Sequence, residues 1–414
     1  MWSRNRAVVT GLGPVAACGS DLQSYWDAIQ HGRSGIGFIT LFDSSDFDTH
    51  VAGEVKDFDL QRYIEPLTPV RRLARQTQLA LAAAKLAFDD AGLTDQLPKL
   101  GGAIPVTLGV STSSYSMIET AVAQMSAKGP DRIVPYISSA SQPQQAASII
   151  AEQFGLVAQA HTFASACPSG LDAVHAAAEL VRGGKTDIAL AGGADAPVCA
   201  LGIACLQQSG LVSRKDLPPE KSSRPFNRDN DSGVISEGAG VVIIENYETA
   251  RARGAHIYFE ILGFASCVDP LPQEPGSGLG GAMQHALAEA AMLPQDIDYI
   301  CAHGSGHPVL DRAEVKSIKQ VFGPHAYRIP VSSIKGAVGN PLAAAGLLQL
   351  IACGCALRHG LVPPTANLEI PDAACDLDHV PGRGRRCQVN RILVNAHGLG
   401  GGNSSLVIRR VDAP

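Results

Sequence analysis

Short apolar runs alternate along the chain with longer segments in which apolar residues recur every three to four positions. The short runs read as buried strands, and the periodic segments read as helices. The helical segment 74–91 ends before Gly92, a residue type that commonly stops helices. Strands that alternate with helices indicate an α/β fold. The predicted strands are 8–10, 106–110, 188–191, 241–245, 257–264, 297–301, 392–395 and 406–409.

The order of elements starts again in the second part of the chain, with a strand at 257–264, a helix at 278–292 and a strand at 297–301. This order predicts two similar α/β halves, 1–250 and 251–414. No residue-level repeat connects the two halves, so the duplication is inferred from element order alone.

Composition and charge exclude several classes of protein. The chain has 414 residues, of which 45% are hydrophobic, enough for one large or two medium globular domains. It has 33 Lys and Arg against 39 Asp and Glu, and it has no basic run that could follow a phosphate backbone, so nucleic acid is not an expected partner. The start of the chain lacks the apolar stretch of a signal peptide, and no uninterrupted apolar run approaches the roughly 18 residues of a membrane span. We therefore expect a cytoplasmic protein whose ten cysteines are reduced.

The segment "ASACPSGLDAVHAAAELV", residues 164–181, places Cys167 just before a helical pattern. Pro168 suits a first helical position, and a Gly-Gly pair ends the helix, so Cys167 should lie at the helix N-terminus. Unpaired backbone N–H groups there would favour a thiolate. The alternative is a buried cysteine that acts as a small hydrophobic residue, and the segment alone leaves both readings open.

Five segments in a fixed order carry a family resemblance. Together they resemble the β-ketoacyl-acyl carrier protein synthases, the elongating condensing enzymes of the thiolase superfamily. The resemblance implies a thiolase-like five-layered αβαβα sandwich and a homodimer, or a heterodimer with another ketosynthase-like subunit. It also implies acyl carrier protein as partner, with acyl and malonyl-type thioesters on a phosphopantetheine arm that arrives with the carrier; no bound cofactor and no metal are expected. The segments are "SACPSGLDAV", "RPFNRDNDSGVISEGAGVVIIE", "AHGSGHPVLDRAEVKSIKQVFG", "VSSIKGAVGNPLAAAG" and "NAHGLGGGNSSLVI".

The resemblance assigns the reacting groups. Cys167 matches the nucleophile, in the first half, and His303 matches the first catalytic histidine, in the second half. Asn340 stands where a second histidine is expected, which predicts a Cys-His-Asn set. The amide of Asn340 can donate a hydrogen bond as imidazole does, but it has no titrating nitrogen. The backbone N–H groups of Cys167 and Leu399 are expected to form an oxyanion hole, and Leu399 replaces a phenylalanine that gates the acyl pocket.

Lys335 and Glu314 match supporting residues of the family, which are expected to form a buried charge pair that orients the histidine region. The alternative is an ordinary surface lysine and a solvated glutamate. Asp311 retains an acidic residue that we expect to be structural.

Other residues near the site depart from the family pattern. Ser305 and His307 stand where threonines usually contact the pantetheine arm, so both are predicted to line its tunnel. His307 has a second interpretation, a displaced catalytic base. His397 occupies a position that usually holds another aromatic residue, and a structural hydrogen-bonding role and a catalytic role both stay open.

Basic residues could guide an acidic carrier protein to the tunnel. The competing interpretation is that they form solvated helix faces. The residues are Arg71, Arg72, Arg75, Lys128 and Arg132.

The predicted function is condensation of an acyl group on Cys167 with a malonyl-type thioester, with loss of CO2, in polyketide or specialised fatty acid biosynthesis. One alternative is acyl transfer from Cys167 to another nucleophile without decarboxylation. A second is a tunnel-shaping partner subunit of a ketosynthase heterodimer, against which the retained cysteine argues.

Overall fold

The structure is a computed structural model that describes residues 5–100, 102–270 and 275–411. Within these ranges the strands are β1 (Ala7–Ala16), β2 (Gly37–Phe38), β3 (Val51–Ala52), β4 (Val106–Gly109), β5 (Ala160–Phe163), β6 (Ile188–Asp195), β7 (Gly238–Asn246), β8 (Phe259–Val268), β9 (Tyr299–Cys301), β10 (Val331–Ser332), β11 (Leu361–Val362), β12 (Arg385–Arg386), β13 (Arg391–His397) and β14 (Gly402–Arg409). The α-helices are α1 (Leu22–His31), α2 (Arg75–Asp90), α3 (Tyr115–Lys128), α4 (Ile137–Ala140), α5 (Gln145–Gln153), α6 (Ser169–Arg182), α7 (Ala200–Gln208), α8 (Tyr247–Ala252), α9 (Leu279–Glu289), α10 (Pro308–Phe322), α11 (Lys335–Val338) and α12 (Ala345–His359).

The main strands are hydrogen-bonded in the order β10-β9-β13-β14-β8-β1-β7-β6-β4-β5. The ladder is narrow at the β1–β8 junction, where only Val8 and Val9 pair with Glu260 and Phe259, so it divides there into two sheets of five strands. If the five strands of each sheet are numbered along the chain, both sheets have the same spatial order from the outer edge inward: third, second, fourth, fifth, first. In this order the first three strands of each sheet pair in parallel, and the two remaining pairings are antiparallel. The two similar halves predicted from element order are therefore present, while the division at residue 250 stays a prediction.

Helices form three layers around the two sheets. α6 and α12 pack against each other between the sheets, and each contacts strands of both. α2 covers the outer face of the first sheet, and α9, with α10 packed on it, covers the outer face of the second. Separate apolar clusters fill the central layer and the two outer ones. The five-layered αβαβα sandwich predicted from the sequence is confirmed.

The central helix α12 is apolar on every side because it is enclosed on every side. With the turn before it, this helix gives a stretch, Leu342–His359, that is apolar enough by length and composition to cross a membrane. Its mean hydropathy is 1.4, and 89% of it is buried inside the protein. Burial of this extent is typical of a core helix in a soluble fold.

Several predicted strands are longer in the structure than the sequence indicated, and glycine accounts for the difference in two of them. β1 continues through Gly11 and Gly13, and β6 continues through Gly192 and Gly193. Glycine usually weakens a strand, so the pattern ended early at these positions. The structure shows why glycine is present: a methyl group at Gly13 would overlap the carbonyl oxygen of Ala83 on α2. The missing side chains let the helix approach the sheet closely.

We expect Gly13→Ala to lower the free energy of unfolding by about 1–3 kcal/mol, because α2 must move away from β1 to admit the methyl group. Gly281→Ala is the matched control, since its methyl group in α9 would meet only Cys267 Sγ at 3.6 Å, an ordinary contact. That control should gain roughly 0.5–1 kcal/mol from helix propensity. Urea unfolding curves measure both changes, and equal stabilities would contradict the close packing.

Candidate functional site

A cavity of about 760 Å³ collects the predicted reacting groups from both halves of the fold. Cys167 enters it from the segment after β5, and His303 enters it from the segment after β9. Asn340 follows α11 and lies beside them. The other predicted residues that line this cavity are Ser305, His307, His397 and Leu399.

Cys167 lies on a strained turn that α6 holds in place. Ala166 has a φ of 62°, a left-handed conformation that side chains rarely adopt. The first residue of α6, Ser169, accepts a hydrogen bond from Ser165 N at 2.8 Å and donates its own N–H to the Ala166 carbonyl at 3.0 Å. Pro168 is the N-cap of α6 and Ser169 the first helical residue, one position later than predicted. The turn thus presents the thiol at the start of the helix, as the sequence indicated.

The protonation state of Cys167 differs from the sequence expectation. Burial raises the pKa of the thiol to about 11, and the charge of Lys335 and a hydrogen bond from Asn340 only partly oppose this. The helix N-terminus favours a thiolate, but desolvation of a charged sulfur outweighs it. At neutral pH the group is therefore a thiol that must lose its proton when it reacts.

His303 is a neutral hydrogen-bond donor. Its Nδ1 accepts the backbone N–H of His397 at 3.1 Å, and a backbone N–H can only donate, so the ring proton must reside on Nε2. Burial, helped by the charge of Lys335, lowers the pKa of His303 well below its usual value. The ring consequently presents an Nε2–H group and does not serve as a base.

Lys335 and Glu314 hold the His303 segment from two directions. The Glu314 carboxylate accepts the N–H groups of His303 at 2.9 Å and of Gly304 at 2.8 Å, while Lys335 Nζ lies 3.3 Å from His303 Nδ1 and donates to its carbonyl oxygen. Among the ion pairs of the described residues, none joins Lys335 to Glu314. The expected charge pair is thus wrong as a direct contact, because Lys335 is bound to His303 while Glu314 accepts from His303, Gly304 and the Asn395 amide.

Asn340 is fixed by its backbone. Its N–H donates to the Val234 carbonyl at 2.7 Å, and its carbonyl accepts Ser236 N at 3.1 Å. The side-chain amide hydrogen-bonds toward the Cys167 sulfur, which favours the thiolate form. Its Oδ1 is buried and has no partner among the described residues. That Asn340 replaces a second catalytic histidine stays a prediction.

Two backbone N–H groups near the thiol are free to bind an oxyanion. In the described part of the chain, neither Cys167 N nor Leu399 N donates to another residue; Cys167 N contacts only its own sulfur. Gly398 brings the second group close, since a methyl group there would lie 2.7 Å from Pro168 Cδ and 3.0 Å from Ala166 Cβ. The glycine-rich turn 398–401, which contains Leu399, joins β13 to β14. The side chain of Leu399 is 63% exposed, so it does not close the cavity.

The segment after His303 forms one wall of the cavity. Ser305 Oγ accepts the N–H of His307 at 3.2 Å, and His307 Nδ1 accepts the N–H of Val309 at 3.3 Å, which caps α10. Buried Asp311 accepts the N–H groups of Phe226 at 2.8 Å and Gly306 at 3.1 Å. Burial raises the pKa of Asp311 to about 7. Its contacts to backbone groups are those of a structural residue.

Sequence reasoning missed the carboxylate that joins the two halves. Fully buried Asp195 accepts N–H groups from Ser111 at 3.1 Å, from Thr112 at 2.9 Å and from Ala343 at 2.8 Å. Burial raises the pKa of Asp195 to about 6. An acidic residue at the end of the apolar run "IALAGGAD" was the signal that could have identified it. Residues outside the five motifs also line the cavity, among them Tyr115, Leu206 and Leu211.

Family models match most of the chain. Residues 4–250 match the beta-ketoacyl synthase N-terminal domain, and residues 258–369 match the C-terminal domain. The chain belongs to the beta-ketoacyl synthase family. This family consists of acyltransferase-class enzymes that act in fatty acid and polyketide biosynthesis, as the sequence predicted.

Similar ketosynthases extend over the whole chain. A 3-oxoacyl-[acyl-carrier-protein] synthase 2 of Coxiella burnetii is 34% identical over 99% of both chains. The tetracenomycin polyketide synthase ketoacyl synthase alpha subunit of Streptomyces glaucescens is 35% identical over 99% of this chain and 98% of its own length. Among solved structures, the ishigamide ketosynthase/chain length factor superposes with a TM-score of 0.92 at 33% identity, covering 99% of this chain and all of its own. A type II polyketide synthase acyl-carrier protein in complex with its ketosynthase gives a TM-score of 0.89 at 31% identity, covering 99% and 100%.

One residue expected to dock a carrier protein is used internally in this ketosynthase. Arg75 forms an ion pair with buried Glu237 at 2.7 Å, donates to the Val55 carbonyl at 3.0 Å and stacks over the ring of Phe58. These contacts argue against a docking role for Arg75, because its charge is already matched by a buried carboxylate, and that role stays a prediction. The remaining candidates are exposed, and none of them lines the cavity: Arg71, Arg72, Lys128 and Arg132.

We expect Arg75→Met to lower the free energy of unfolding by roughly 3 kcal/mol, because it leaves Glu237 charged, buried and unpaired. Arg71→Met removes an exposed charge nearby and should change stability by less than about 0.5 kcal/mol. Chemical denaturation of both variants distinguishes the two roles. Equal changes in the free energy of unfolding would show that the ion pair with Glu237 adds no stability, and Arg75 would again be a candidate for carrier docking.

Lys335→Met should raise the pKa of Cys167 further, since the nearest favourable charge is lost. Each pKa unit removes about nine-tenths of the thiolate present at a fixed pH. Alkylation of the Cys167 peptide by iodoacetamide at pH 8 should therefore slow on the order of tenfold, as measured by peptide mass spectrometry. Lys99→Met, at an exposed surface position, is the control. An unchanged rate in the Lys335 variant would show that its charge does not act on the thiol.

Proposed function

We propose that this ketosynthase forms an acyl-Cys167 intermediate and condenses it with a malonyl-type thioester in polyketide or specialised fatty acid biosynthesis. The observation that carries the proposal is the convergence of a thiol, two amide or imidazole donors and two free backbone N–H groups on one cavity. Few other reactions use a sulfur nucleophile together with donors for two separate carbonyl oxygens.

In the first step, Cys167 sulfur attacks the carbonyl carbon of an acyl thioester. The oxyanion that forms is bound by the N–H groups of Cys167 and Leu399. The carbonyl re-forms as the carbon–sulfur bond of the donor breaks, and the pantetheine thiol leaves with the proton that Cys167 has lost. The product is a thioester on Cys167.

In the second step, a malonyl-type thioester occupies the place of the donor. His303 Nε2–H and the Asn340 amide donate to its thioester oxygen. Cleavage of the bond to the carboxylate releases CO2 and leaves its electron pair as an enolate, which the two donors stabilise. The enolate carbon then bonds to the acyl carbon, and Cys167 leaves as a thiolate. This assignment makes Asn340 a donor in place of a second histidine, a role that needs no proton transfer at that position.

The partner in this proposal is an acyl carrier protein that brings the phosphopantetheine arm, so no other cofactor need be bound. A similar ketosynthase has been solved with an acyl-carrier protein, and another is described as a ketosynthase/chain length factor. We accordingly propose a cytoplasmic dimer, either of two copies or with a second ketosynthase-like subunit. Exposed Arg71, Arg72, Lys128 and Arg132 are the candidates for carrier contact.

Acyl transfer without decarboxylation is the second candidate. It is favoured by one observation, namely that Asn340 brings an amide with an unpartnered Oδ1 into the place where a second imidazole was expected. An acceptor with a hydroxyl or amine group could donate to that oxygen. A purely tunnel-shaping role is disfavoured because Cys167 is present on a turn that presents its thiol to the cavity.

Intact-mass analysis tests the proposal. Incubation with an acyl-carrier protein donor should add the acyl mass to Cys167, and later addition of malonyl-carrier protein should remove it with one CO2 and one β-ketoacyl product. Asn340→Ala should retain acylation, but its condensation rate should fall on the order of 100-fold, because one of two donors to the enolate is lost. Cys167→Ala is the control for the site of labelling. Labelling without CO2 would replace condensation by simple acyl transfer, and no labelling would refute both.

A further inference from the structure

The imidazoles that line the cavity present different ring nitrogens to it. Of the described lining residues, three are histidines: His303, His307 and His397. His303 and His307 each accept a backbone N–H on Nδ1, so each carries its proton on Nε2. These two rings offer hydrogen-bond donors. In their neutral form they cannot take up a proton at Nε2.

His397 has the opposite arrangement, because Asn403 determines it. The Asn403 amide nitrogen donates to Asp269 Oδ1 at 2.8 Å, to the Gly401 carbonyl at 3.0 Å and to the Cys267 carbonyl at 3.4 Å, so its Oδ1 is the atom that faces His397. His397 Nδ1 lies 2.8 Å from that oxygen and must donate to it. The proton of neutral His397 is therefore on Nδ1, and its Nε2 carries a bare lone pair.

His397 is also placed beside the nucleophile. The next residue, Gly398, packs directly on Ala166 and Pro168, which flank Cys167. The ring of His397 is buried, lies edge-on to that of His303 at 5.9 Å between centroids, and lines the same cavity as the thiol.

The thiol needs a proton acceptor that the Cys-His-Asn set does not contain. Cys167 is protonated, the free nitrogen of His303 already carries a hydrogen, and Asn340 does not titrate. The carboxylates near the cavity are occupied: Asp195 accepts three backbone N–H groups, and Asp269 accepts Gly276 N at 2.7 Å, Gly278 N at 2.8 Å and the Asn403 amide.

We propose that His397 is the general base that takes the proton of Cys167 during acyl transfer, an inference that rests on the acyl-Cys167 chemistry proposed above. As the sulfur bonds to the acyl carbon, its proton moves to His397 Nε2, directly or through one water. As the bond from the acyl carbon to the donor sulfur breaks, the same proton passes to the departing pantetheine sulfur. Protons and electrons balance, and no further reagent is needed. His397 is then a catalytic residue of the first step, separate from the donors that serve the second.

Charged and titratable groups surround His397 from several elements. Asp269, after β8, is linked to the ring through Asn403, and Glu314 on α10 lies behind the His303 segment. Lys335 on α11 contacts His303, which is neutral. Cys167 on the turn before α6 is the remaining titratable group of this set. The pH profile of acylation reports the balance of these groups.

The rate of Cys167 acylation, measured by rapid quench and intact mass under single-turnover conditions, tests the proposal. In the wild-type protein the rate should fall as pH decreases through the range in which imidazole takes up a proton, roughly pH 8 to 5. His397→Asn keeps a donor for Asn403 Oδ1 but removes the base, and His397→Phe removes both. Both variants should acylate on the order of 100-fold more slowly at neutral pH and should lack the histidine limb of the profile.

The two variants separate catalysis from structure. If His397 served only as a hydrogen-bond donor to Asn403, His397→Asn would acylate like the wild type and only His397→Phe would be impaired, which would overturn the proposal. His307→Asn removes an imidazole of the other tautomer and should retain the limb, whatever its absolute rate. A flat wild-type profile would also overturn the proposal, even if neither His397 variant folds. Absence of any acyl-Cys167 in the wild type would instead refute the proposed function itself.

Discussion

The active site depends on a buried carboxylate that joins the two halves beside it. Asp195 ends a strand of the first half and accepts N–H groups from Ser111 and Thr112 of that half, and from Ala343 of the second. The nucleophile comes from one half and its hydrogen-bond donors from the other, so a small shift between them would separate the reacting groups. A charge buried to this extent is tolerated only because several donors surround it. Those donors include backbone groups of both halves, and their relative position is thereby determined.

Backbone N–H groups also determine the chemistry of the cavity. A main-chain N–H cannot accept, so wherever one meets a histidine nitrogen it decides which nitrogen carries the ring proton. His303 and His307 become donors in this way, while Asn403 makes His397 an acceptor. Opposite functions of the same side chain thus arise from loop geometry and not from residue type. The donors lie in place before a substrate binds, which reduces reorganisation during the reaction.

The fold and the reacting residues were accessible from the sequence to different degrees. Alternating elements and five ordered motifs predicted the layered fold, and the nucleophile, histidine and asparagine meet in one cavity as expected. The ends of two strands were missed because Gly13 and Gly193 interrupt the apolar pattern. Both glycines are needed for close helix packing, and the local sequence does not show that packing.

Contacts over long sequence distances account for the other differences. Nothing near Arg75 in the sequence shows that its charge will pair with buried Glu237. Lys335 and Glu314 do not form a direct ion pair, because the His303 segment lies between the two charges. The protonation of Cys167 follows from burial, a property of the assembled core. Ring tautomers likewise depend on which backbone group arrives from elsewhere.

The matching strand order of the two sheets has an evolutionary consequence. β5 and β10 occupy the same edge position in their sheets, and each is followed in the chain by a segment that leads to a central helix, α6 or α12. After β5 that segment carries Cys167, and after β10 it carries Lys335 and Asn340. Duplication of one ancestral half, followed by divergence, would produce this arrangement, in which one copy supplies the sulfur and the other supplies polar groups that act on the sulfur and on the substrate. Because Lys335 of the second half acts on the Cys167 thiol of the first, a change in one copy also alters the chemistry of the other.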